Sequence, residues 1–144
     1  MAPYVDSTEQ LVTEILARDI GASVAFYRAL GFRLLRDGGD FVELGWEEHR
    51  LFLAAPTAFD APDAAPPPRA PAFPLANVRV MVPDVDDCWR VAGDMGARVV
   101  VPIDDRYYGL RDFTIADPDG FGVRFATRLD QDRGPAPGAT SPVQ

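Results

Sequence analysis

The sequence has 144 residues, 47% of them hydrophobic, which is enough for an ordinary globular core, and it has no apolar run of the roughly 18 residues a membrane helix needs. Its 22 acidic residues against 14 basic ones give a formal charge of -8, which argues against nucleic acid or an anionic membrane as partner, since both call for a positive field. An acidic surface suits a cationic ligand, although solubility alone also accounts for it.

The opening MAPYVDSTEQ lacks a basic stretch followed by an apolar one, and Cys88 is the only cysteine, so the expected compartment is the cytoplasm. Leu11 to Ala17 is the first strand candidate. It is followed by a helix capped by Asp19, with Ile20, Val24, Tyr27 and Leu30 along its apolar face and Gly31 as its stop. Phe32 to Arg36, Phe41 to Trp46 and His49 to Ala54 then alternate as strands, separated by Asp37-Gly38-Gly39 and Glu47-Glu48. Residues 55–75 are rich in Pro and Ala and read as an extended linker.

Beyond the linker the same grammar returns. Asn77 to Val82 is a strand, Asp84 caps a helix faced by Val85, Cys88, Ala92 and Met95, and Gly96 stops it. Arg98 to Val101, Arg111 to Ala116 and Gly122 to Thr127 follow as strands, and residues 130–144 read as a disordered tail. The stretches 18–35 and 83–100 align without a gap, Asp19 on Asp84, Gly31 on Gly96 and Arg33 on Arg98. The expectation is an α+β chain of two βαβββ modules, 1–54 and 76–129.

In the last strand, ADPDGFGVRF begins with tight-turn residues and then alternates, which sets Arg124 on the face opposite Val123 and Phe125. Together with RDIGASVAFYRALGF, LFLAA and RDFTIADPDGFGVRF, this ending resembles the vicinal oxygen chelate superfamily, which holds glyoxalase I, extradiol dioxygenases and the fosfomycin and bleomycin resistance proteins. The resemblance covers roughly residues 9–128. It implies paired modules whose mixed sheets curl into a cup, and in the metal enzymes four inward-facing ligands. Carried onto this chain, those four positions fall at Val12, Phe52, Asn77 and Arg124. Val and Phe have no lone pair to give, Asn offers at best a carbonyl, and Arg repels a cation, so no metal, cofactor or catalytic residue is expected there.

The resemblance is nearest to the bleomycin resistance branch, whose members lack the metal and sequester a drug in clefts of a homodimer, often with modules exchanged between subunits. That implies a metal-free binding protein with a small-molecule partner, cationic and aromatic, and antibiotic sequestration as its role. Members of the branch commonly carry Trp-Gly where this chain has Tyr108-Gly109. The expected ligand-binding residues are Trp46, Phe52, Asn77, Arg79, Asp105, Tyr107, Tyr108 and Arg124. Tyr107 and Tyr108 supply flat faces with polar tips, and Asp105, beside Asp104 and Arg106, supplies charge at the mouth.

Plainer readings stand beside each of these. Trp46 can pack a hairpin end, and Arg124 can form an internal ion pair with Glu14 or Glu43. The alternative function is an enzyme of the same fold, using a relocated metal at Glu14, Glu43 and His49 or a carboxylate base. No nucleophilic triad, phosphate loop, G-x-G-x-x-G or C-x-x-C motif is present.

Overall fold

The computed structural model describes residues 2–59 and 72–129. Residues 60–71 of the expected linker and the expected tail, 130–144, lie outside the described residues. The chain divides into two compact units, Met1–Arg69 and Ala70–Gln144.

In the first unit a short helix α1 (Ser7–Gln10) leads into β1 (Thr13–Leu16), helix α2 (Ile20–Leu30) and strands β2 (Arg33–Asp37), β3 (Phe41–Trp46) and β4 (His49–Ala54). The strands form one sheet in the order β1-β4-β3-β2, with β1 parallel to β4 and the other pairs antiparallel. The parallel pair needs a crossover, which α2 begins and the β2–β3 hairpin completes. Asp19 caps α2 by accepting from the Ala22 N–H at 3.0 Å. Gly31 ends it at φ 114, a left-handed conformation that a residue with a Cβ adopts only under strain.

Tyr27, Leu30, Phe32, Val42, Leu44, Leu51, Leu53 and Ile15 are buried between α2 and the sheet. Removing each large apolar side chain from water contributes on the order of 2 kcal/mol, so this layer is what holds the unit together. Ile20 and Val24, expected on the same helical face, are only half-buried, while Ser23 is fully buried. The linker expected from residue 55 starts instead with a 3₁₀ turn, Pro56–Phe59, tied back by the Ala58 N–H to the Ala55 carbonyl.

The second unit repeats the plan with β5 (Asn77–Met81), α3 (Val85–Asp94), β6 (Arg98–Asp105), β7 (Leu110–Ala116) and β8 (Gly122–Arg128). Its sheet order is β5-β8-β7-β6, and β5 is parallel to β8. Asp84 caps α3 through the Asp86 and Asp87 N–H groups. Phe113, Phe125, Ile115, Val123, Val85 and Ala92 are buried under α3, with Phe113 stacked on Phe125 and Trp89 edge-on to Phe113. The fold class is therefore α+β with two four-stranded mixed sheets.

β6 is twice as long as its sequence suggested. Its pairing with β7 slips between Val99 and Val101 and again between Val101 and Asp104, so two bulges carry the ladder across Pro102, which has no N–H to give. Among the described residues no helix is long and apolar enough to cross a membrane.

Candidate functional site

Strand register decides which side chains share a face. In the second sheet Arg79 pairs with Arg124, Arg124 with Thr114, and Ala126 with Asp112, so all of these except the helix-side residues between them look away from α3. At the centre is the Asp112 carboxylate, whose side chain is only 3% exposed. Arg106 Nε donates to its Oδ1 at 2.7 Å. Arg124 Nε donates to Oδ2 at 2.9 Å, and Arg124 Nη2 reaches the same oxygen. The Tyr108 hydroxyl donates to Oδ2 at 2.7 Å and accepts from Arg124 Nη2 at 2.7 Å.

Local folding accounts for this convergence. β6 and β7 are joined by a turn in which the Gly109 N–H bonds to the Arg106 carbonyl and Gly109 takes φ 90. That turn folds Arg106 and Tyr108 back over β7, and Arg106 Nη2 also donates to the carbonyls of Pro102 and Asp112. The Arg124 guanidinium carbon lies 5.4 Å from the Tyr108 ring centre, within cation–π range.

Burial alone would push the Asp112 carboxyl up. Hydrogen bonds from Arg106, Tyr108 and Arg124, together with the Arg124 charge, outweigh it and hold the carboxyl below its ordinary value. Tyr108 moves the other way: burial first, then its bond to Asp112, raises the phenol, so it stays protonated at neutral pH. The cluster is thus two guanidinium cations, one carboxylate anion and a neutral phenol. Every side chain in it is oriented by another, which is the preorganisation a recognition site needs.

The other expected residues are placed as follows. Tyr107 is 57% exposed and its ring meets that of Tyr108 edge-on at 5.2 Å between centres. Asn77 begins β5 opposite Gly122, where a Cβ would stand 2.7 Å from that of Asn77, so this close strand approach requires glycine. Asp105 is held at 3.1 Å by Arg111, which also grips Asp86 at the start of α3 at 3.0 Å. This tie, and not a ligand, holds the Asp86 carboxyl below its usual value. Of the acidic residues expected at the mouth for a cation, Asp105 is therefore already paired.

In the first sheet Phe52 faces away from α2 and meets Phe41 edge-on at 5.0 Å. Trp46 does not join that face. Period-two alternation sets it with Leu44 and Val42 on the α2 side, where it leans on Phe32 and against Gly31. The internal-pair reading of Arg124 is correct in kind but not in partner: Asp112 takes the place given to Glu14 or Glu43, and Glu43 lies 3.8 Å from Arg50. Asp112 and Arg106 were the residues missed. Alternation from Thr114, the partner of Arg124, already sets Asp112 on the Arg124 face, whereas the fold-back of Arg106 depends on the turn and has no sequence signal.

The superfamily's metal positions fail a fit test on donor chemistry. Val12 immediately precedes β1, Phe52 meets an aromatic ring edge-on, Asn77 is exposed at a strand start, and Arg124 brings a cation. Of the relocated set, Glu14 and Glu43 both flank Phe52 on one face while His49, opposite Trp46, is on the other, so the three do not converge. Among the described residues no group of three or more His, Cys, Asp and Glu side chains is arranged to hold a metal ion. Burial, with the nearby Asp87 and Asp84 charges, pushes the Cys88 thiol up and away from nucleophilic chemistry.

Among solved structures, a glyoxalase/bleomycin resistance protein/dioxygenase from Nocardioides matches with a TM-score of 0.69 at 19% identity, over 95% of this chain and 92% of that one. TioX from Micromonospora sp. ML1 matches at 0.65 and 24% identity, over 83% and 98% of the two chains. A bleomycin-binding protein complexed with bleomycin matches at 0.62 and 18% identity, over 84% and 99%. At these identities the likeness is one of fold. No curated protein matches. The model of the Glyoxalase/Bleomycin resistance protein/Dioxygenase superfamily matches residues 9–125, and this chain belongs to that superfamily.

Proposed function

We propose that the protein is a homodimeric, metal-free binder that holds a small aromatic molecule in the cytoplasm without transforming it, in the manner of the bleomycin-resistance branch. The observation that carries this reading is the saturation of Asp112. Its two oxygens are engaged by Arg106, Arg124 and Tyr108, and its carboxyl is held ionised and low, which makes it a poor general base. The raised Tyr108 phenol is a poor base for the opposite reason. Fixed polar groups beside exposed aromatic surface recognise well and catalyse little.

Further support comes from the superfamily's ligand positions, which here carry groups unsuited to a cation, and from a bleomycin-bound protein of the same fold. Exchange of modules between subunits remains the alternative dimer arrangement. The test is calorimetric titration of the purified protein with divalent metals and, separately, with metal-free and copper-loaded bleomycin, alongside its mass by light scattering. The expected result is a dimer that ignores the metals, and the drug titration shows whether a cationic glycopeptide is among the molecules it holds. Tight binding of a metal alone, near one equivalent per chain, overturns the reading.

A further inference from the structure

Arg79 and Arg124 are direct partners across the parallel β5–β8 pair. Their side chains therefore leave one face from backbones about 4.8 Å apart. Two like charges so placed repel, and sheets avoid the arrangement unless something neutralises it.

The obvious neutraliser is used up. Asp112 is shared between Arg106 and Arg124, and its third partner is Tyr108. Asp104, opposite Asp112 in the ladder, turns an oxygen to the Asp105 N–H at 2.8 Å. Against these two carboxylates the face carries Arg79, Arg106 and Arg124, with Arg98 and Arg128 in the same alternation toward the strand ends. On a chain whose formal charge is -8, this face runs against the overall sign.

Donors are also unspent. Arg124 commits Nε and Nη2, and its Nη1 makes no hydrogen bond among the described residues. The Arg79 side chain is exposed and has no partner among them. A half-buried guanidinium with free N–H groups, next to an unpaired second one, is the fork that oxyanions fit.

We infer that the ligand presents an anionic oxygen group, a carboxylate, sulfonate or phosphate, to Arg79 and Arg124 on the face of the second sheet away from α3, with its ring system toward Tyr107 and Tyr108. The inference rests on the binding reading above. It replaces the cationic ligand expected from the net charge, because of the two aspartates expected in that role Asp105 is occupied by Arg111 and Asp104 turns an oxygen to the Asp105 N–H.

Two dyes with the same rings separate the two ideas: 1-anilinonaphthalene-8-sulfonate, an anion, and N-phenyl-1-naphthylamine, which is uncharged. Fluorescence titration of the full chain should show the sulfonate binding at least about tenfold more tightly, a factor set by one charge-assisted contact. Arg79→Gln should remove that advantage and added salt should erode it, both read as the ratio of the two dyes' affinities. Displacement of the sulfonate by benzoate or by phenyl phosphate tells a carboxylate from a phosphate. Equal affinity for both dyes, or a sulfonate affinity indifferent to Arg79→Gln, overturns the inference and leaves the binding reading intact. Failure of both dyes to bind overturns the inference, and the separate titration with bleomycin and metals then decides the binding reading by itself.

Discussion

Phe41 and Phe52 in the first unit stand where Asp112 and Arg124 stand in the second. Phe41 is opposite Ala54, two residues past Phe52, and Asp112 is opposite Ala126, two residues past Arg124, so each couple spans the same diagonal of the same two strands. In one sheet the diagonal holds two rings 5.0 Å apart, and in the other a hydrogen-bonded ion pair. Glu14 and Arg79 extend the contrast to the neighbouring strand, since they are the parallel partners of Phe52 and Arg124.

Most of what differs lies on one face, although Arg111 also ties Asp105 to Asp86 on the α3 side. The opposite faces, under α2 and α3, are built mainly of buried apolar side chains in both units, and the capping aspartates Asp19 and Asp84 are alike. Helix-side burial thus specifies the βαβββ unit, and the other face is left free to carry unrelated chemistry. The stability consequences should differ accordingly, because an ion pair in low dielectric fails all at once and an aromatic pair fails in proportion to the surface it loses.

The sharpest break should come from Asp112→Ala. It leaves Arg106 and Arg124 facing each other without a counter-charge, and urea denaturation should show a loss of about 3–5 kcal/mol. The same carboxylate should give the protein an acid limit. Its folded value lies below the ordinary 3.8, so its contribution is complete above that pH and is lost as pH falls through the lower folded value. A stability curve in that window should slope in the native protein and flatten in Asp112→Asn.

Phe52→Ala should cost less, about 2 kcal/mol, since the ring is only half-buried and fully buried phenylalanines cost roughly 3–5. If this loss exceeded that of Asp112→Ala, the aromatic diagonal and not the ionic one would be the stronger constraint. The smallest effect is expected for Glu43→Gln, whose 3.8 Å approach to Arg50 is a surface pair worth under about 0.5 kcal/mol. A larger change there would mean that the face of the first unit also depends on charge.

Most of the fold could be read along the chain because its signals are local. Asp19 and Asp84 cap, Gly31 stops, and β3 and β4 begin and end at the residues where alternation begins and ends. The boundary of β6 escaped because bulges let a strand continue through Pro102. The site was legible in part for a related reason. Alternation alone sets Arg124 opposite Phe125 and Trp46 beside Leu44, but the partner of Arg124 comes from a neighbouring strand, and the sequence contains several acidic residues that could play it. Choosing Asp112 over Glu14 or Glu43 requires the ladder itself, and Arg106 requires the turn.

The turn between β6 and β7 also divides labour between two adjacent tyrosines. Tyr108 is committed to Asp112 and Arg124, while the Tyr107 ring meets that of its neighbour edge-on and is 57% exposed. Replacing the first disturbs the anchor of the whole hairpin, and replacing the second alters only what the hairpin presents. The hairpin is therefore built as a rigid arm with one interchangeable fingertip. On the proposed binding reading, position 107 is where the ligand preference of such an arm can change without cost to its foundation.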